Sequence, residues 1–143
     1  MTRFYTGAFA DTAAELAETV ARDPAEHYAV LWLAAARLRA GQPALPELAA
    51  NAERLDLAAW PGPVVQFYLG RIGAEALLAA AEDPDTRLRD WQLCEAQYYM
   101  GQFDLAAGRR DAARARFERA AALCPKGFVE LTAARVELAR MVP

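Results

Sequence analysis

Apolar residues recur at spacings of three and four along almost the whole chain, and glycine and proline interrupt them at short intervals. The first such run holds Ala13, Ala14, Leu16, Ala17 and Val20, which predicts a helix capped by Asp11 and ending near Arg22. A second helix is expected from about Pro24 to Ala40, closed by Gly41 as a left-handed cap. Residues 44–55 predict a shorter helix. Pro61 and Pro63 then force a break, and two helices of roughly eight residues follow, divided near Gly70–Gly73. A long helix is expected over about Asp85–Ala107, another over Arg110–Leu123, and a last over 127–141 with Phe128, Leu131, Ala134, Leu138 and Met141 near one face. No stretch alternates as a strand does.

Composition agrees with an all-α chain. Alanine makes up about a quarter of the 143 residues, and it loses no side-chain entropy in a helix. The net charge of −3 argues against a nucleic-acid partner. No apolar run reaches the ~18–20 residues of a membrane span. The N-terminal "MTRFYTGAFAD" has neither an apolar core nor a cleavage site, so no signal peptide is expected in it.

The helix–turn–helix pattern repeats. Counted from Cys94, Met100 and Gly101 fall at positions 7 and 8, Gly108 at 15, Ala113 at 20, Phe117 at 24, Ala120 at 27 and Pro125 at 32. This spacing resembles the 34-residue tetratricopeptide repeat. Each position has a packing reason. Small residues let two antiparallel helices approach, the aromatic fills the space between them, and glycine makes the turn. Counted from His27, Leu33, Ala34 and Gly41 match the first half of a repeat, before Pro43 and Pro46 lengthen the turn. The resulting expectation is one domain over 1–143, an irregular right-handed helical-hairpin array of about eight helices. It divides into a partial repeat at 1–24, an irregular repeat at 25–60, a short hairpin at 61–84, a well-formed repeat at 94–127 and a capping helix at 128–143.

The order of these pieces resembles the C-terminal two-thirds of the NlpI-type bacterial tetratricopeptide lipoproteins. The segments that carry the likeness are "FYTGAFADTAAELAETVARDPAEHYAVLWLAAARL", "WPGPVVQFYLGRIGAEALLAAA" with its "FYLG-x-I" element, and the last helix opening on Phe128–Glu130. The resemblance implies a dimeric envelope adaptor that scaffolds other proteins. It implies a periplasmic, outer-membrane-associated location if a leader was removed, whereas the chain as it stands reads as cytoplasmic.

Little in the sequence points to chemistry. His27 is the single histidine, so only one base is present for a nucleophilic pair, and no His/Cys spacing suits a metal. Acidic pairs such as Glu15 and Glu18, or Asp83 and Asp85, read as solvated. No Gly-rich phosphate loop occurs. No catalytic residue, metal or cofactor is therefore expected, and the chain reads as a non-enzyme. Arg109, Arg110, Arg114, Arg116 and Arg119 interleave with the packing positions of one helix and read as a solvated face, with a docking patch for an acidic partner as the alternative. Cys94 and Cys124 sit at neighbouring ends of one hairpin. Two readings stand: two small buried apolar residues, or a disulfide, which needs Cα atoms within about 7 Å.

The expected function is a scaffold that binds a peptide or partner protein in a concave groove. Tyr28, Leu31, Ala35 and Arg39 line it from one repeat, and Glu95, Tyr98 and Gln102 from the other. A homodimer is a second expectation, with Ala13, Leu16, Ala17 and Val20 partly uncovered for another chain. The alternative reading is a regulatory or sensory domain holding a small molecule between helices.

Overall fold

The computed structural model describes residues 1–142, and it is all-α. Among the described residues there are nine helices and no strand: α1 (Thr2–Tyr5), α2 (Phe9–Arg22), α3 (His27–Arg39), α4 (Leu45–Ala52), α5 (Gly62–Tyr68), α6 (Ala74–Ala80), α7 (Thr86–Ala106), α8 (Arg110–Leu123) and α9 (Val129–Arg140). The chain forms two compact units, Met1–Gly73 and Ala74 onward.

In the first unit α2 and α3 pack as an antiparallel pair. Phe9 near the start of α2 lies beneath the Arg39 guanidinium at the end of α3, 4.4 Å from ring centre to Cζ. Phe4 is fully buried and meets both Phe9 and Trp32 edge-on, with centroids 5.0 Å apart in each case. Two helix starts differ from expectation. Helix α2 begins at Phe9, so Asp11 lies in its first turn instead of capping it. Helix α3 begins at His27, not Pro24, because the Glu26 carboxylate accepts from the amides of Tyr28 and Ala29. A glutamate can close a helix start as an aspartate does when its chain folds back.

The far end of α3 behaves as its glycine implies. Gly41 takes φ +69°, its amide bonds the Leu38 carbonyl, and the Gln42 amide reaches Arg37. This pair of bonds satisfies carbonyls that the helix leaves open. Arg37 then grips Glu47 of α4 through two nitrogens, at 2.9 and 3.3 Å. Helix α5 starts at a glycine for a steric reason: a Cβ on Gly62 would fall on the backbone of Leu57.

The second unit is built on α7 and α8. Asp85 caps α7 by accepting from Arg87 and Leu88. Gly108, at φ +79°, makes the turn, with Gly108 N–H bonded to Leu105 and Arg109 N–H to Asp104. The two helices run antiparallel, since Gly101 faces Phe117 while Cys94 pairs with Cys124. Gly101 is required by this approach. A Cβ there would sit 2.6 Å from a Phe117 ring carbon. Phe117, Ala113 and Ala120 are all fully buried. Among the large aromatics, Trp32 and Phe117 are buried, while Phe67, Phe103 and Phe128 are half-buried.

Of the two readings of the cysteines, the structure has the disulfide. Cys94 and Cys124 are bonded, with Cα atoms 4.9 Å apart. Helix axes normally stand 8–10 Å apart. The closer approach arises because α8 has already ended at Leu123, and Cys124 is extended (φ −65°, ψ 129°).

Candidate functional site

The expected groove residues do not form an open surface. Leu31 and Ala35 lie within a continuous buried run, Ala29–Ala36, on α3. Tyr28 and Arg39 are half-buried, and each keeps part of its side chain at the surface. In the second unit Tyr98 and Gln102 are fully buried and Glu95 nearly so. A ligand reaches these last three only if something moves.

What the second unit gathers instead is a buried polar cluster. The Gln102 amide donates to the Tyr98 hydroxyl at 3.1 Å and to Glu137 Oε1 at 3.2 Å. Arg140 donates to the same Glu137 oxygen at 3.1 Å. Beside it the Tyr99 hydroxyl donates to Glu130 Oε1 at 3.2 Å. Tyr98 and Tyr99 meet edge-on at 5.2 Å, and Tyr98 tilts against Phe117 at 6.0 Å. Burial pushes the Glu130 carboxyl above its ordinary value, while hydrogen bonds from its own backbone and from Tyr99 pull the other way.

Sequence reasoning found Tyr98 and Gln102 together but missed Tyr99, Glu130, Glu137 and Arg140. A signal was present. Glu130 and Glu137 are seven residues apart, two full turns, on a helix whose other buried positions are Leu131, Ala133 and Ala134. Carboxylates in register with a packing face mark buried partners on the neighbouring helix.

The arginines of α8 divide in two. Arg109 bonds Asp104 at 2.8 Å, and Arg116 reaches Asp104 at 3.9 Å and Gln97 at 3.3 Å. Arg114 donates to the Met141 carbonyl at 2.7 Å. These three tie α8 to its neighbours, and Arg110 and Arg119 are exposed. His27 contacts the Asp56 carbonyl through Nε2 at 2.9 Å, joining the start of α3 to the segment after α4.

The first unit also holds an open recess of about 350 Å³, lined by Gly7, Ala8, Phe9, Ala10, Asp11, Arg39 and Ala40. Arg39 thus joins the recess to the accessible part of the expected groove set. Among the described residues no group of three or more His, Cys, Asp or Glu side chains stands close enough to hold a metal ion. No helix among them is long and apolar enough to cross a membrane. No family model matches the chain.

Proposed function

We propose that the protein is a non-enzymatic interaction module of the tetratricopeptide type, an adaptor that binds a peptide or a segment of a partner protein. The α7–α8 pair supports this reading most strongly. Its contact residues, Gly101, Ala113, Phe117 and Ala120, occupy the positions at which that repeat packs its two helices. In this reading the helical pairs form a right-handed array and the NlpI-type resemblance reflects common architecture. The contacts come from the first unit. Tyr28 and Arg39 lie eleven residues apart, three turns along one side of α3, and Arg39 also borders the recess. A tyrosine offers contact area with a polar tip, and an arginine offers a forked donor to a carboxylate.

Panning a random peptide library against the immobilised chain tests the proposal. Selected peptides should lose about tenfold in affinity to Tyr28→Ala or Arg39→Ala, as anchors at interfaces do. Failure to enrich any peptide would sink it. The small-molecule alternative draws on the recess, whose volume lies within the ~300–1,000 Å³ of ligand sites. A thermal shift with a metabolite set, in the absence of peptide enrichment, would favour that alternative.

A further inference from the structure

We propose that the Cys94–Cys124 disulfide is a redox-sensitive latch that holds α9 against α7. Cys124 is the last residue before the turn that leads into α9, and the bond fixes that turn to the middle of α7. Three further features lie within a few residues. Gly127 makes the bend at φ +93°. Phe128, at the start of α9, packs on Trp91 of α7 with centroids 5.7 Å apart. Glu130 accepts from Tyr99 of α7.

Helix α9 packs chiefly on α8, burying Leu131, Ala133 and Ala134, and touches α7 over a smaller area, so the bond is the strongest tie on the α7 side. Helix α9 has twelve residues, too few to persist alone in water. No side chain caps its start. It carries two carboxylates, Glu130 and Glu137, into the interior, and one of them is held there against desolvation. Its far end rests on the Gln102–Glu137 bond and on Arg114 at the Met141 carbonyl. The α7–α8 pair, in contrast, has its own core around Phe117 and its own turn at Gly108.

A dithiol reductant opens the latch by ordinary exchange. Its thiolate attacks Sγ of Cys124, the less buried of the two residues at 8% exposure against 0% for Cys94. Cys94 leaves as a thiolate and takes up a proton. The second thiol of the reductant then attacks the mixed disulfide, freeing Cys124 as a thiol, and the reductant departs as its own disulfide. Two electrons and two protons pass to the protein. Release of α9 removes Glu137 from Gln102 and Glu130 from Tyr99, which uncovers the Tyr98–Tyr99–Gln102 side of α7.

Amide hydrogen exchange on the intact chain, with and without a dithiol reductant, tests this. The readout is the ratio of exchange rates in Leu131–Ala139 to those in Met100–Asp104, taken from one sample. Uniform destabilisation cancels in this ratio. The ratio should rise at least about tenfold on reduction. The double variant Cys94→Ser/Cys124→Ser should show the raised ratio without reductant and no response to it. An unchanged ratio overturns the latch. So does loss of helix from α7 and α8 together with α9, since the bond would then hold the whole unit and not one helix.

Discussion

At the scale of single residues, two positions decide opposite questions. Gly101 lies inside a helix, where replacing glycine by alanine ordinarily gains up to ~1 kcal/mol. Here the added Cβ meets the buried Phe117 ring. Overpacking costs ~1–3 kcal/mol, so Gly101→Ala should lower stability by roughly 1–2 kcal/mol in a denaturant titration. Adding Phe117→Leu should recover part of that loss, because the two side chains contest one space. Phe117→Ala alone should cost ~3–5 kcal/mol. Glu130 concerns charge, not volume. Its folded carboxyl titrates above the ordinary 4.5, so the fold favours the protonated form. The stability this contributes is complete below about 4.5 and is lost as pH rises through the folded value. Glu130→Gln should therefore raise the melting temperature at pH 7, with the gain fading in a pH series as the wild type is protonated. A gain that persists unchanged at pH 4 would mean the effect is not ionic.

At the scale of elements, the α7–α8 pair was the most legible part of the chain. Spacing marked Gly101, Gly108, Ala113, Phe117 and Ala120, and each has the packing or turn role that its residue type allows. Ala120→Leu should cost ~1–3 kcal/mol for the same steric reason. The disulfide was legible only as one of two readings, because spacing brings the cysteines to one end but does not fix a 4.9 Å separation. The extended backbone of Cys124 decides that. The bond closes a loop with a sequence separation of 30, worth about 3.5 kcal/mol on loop entropy. Oxidised protein denatured without reductant should titrate no free thiol, and reduction should lower the unfolding midpoint accordingly. The last helix was legible in part: of its expected apolar stripe, Leu131, Ala134 and Met141 are buried, but the two carboxylates that share the interior were not anticipated. Leu138 is half-buried, while Glu130 and Glu137 lie inside with partners on α7.

At the scale of the whole molecule, two units each carry their own core. The face of α2 expected to await a second chain is largely covered within the first unit. Ala13 and Val20 are buried, and only Leu16 and Ala17 remain half-buried. Val20→Ala should therefore act on folding, at roughly 1.5–3 kcal/mol, and leave the mass measured by light scattering unchanged. A change in mass without a change in melting temperature would favour the interface reading.

The sequence by itself determined the helical class, the breaks, the left-handed glycine at 41, the turn glycine at 108, and the contact positions of one hairpin. These follow from local geometry: the period of the helix, the missing Cβ of glycine and the volume of one aromatic ring. Tertiary structure decided that Tyr98 and Gln102 are inside. Tyr98 and Gln102 have the spacing of an exposed face, yet hydroxyl, amide and carboxylate satisfy one another with Glu137 in the interior. Periodicity reports which residues share a side of a helix. What that side meets depends on elements 30 or more residues away.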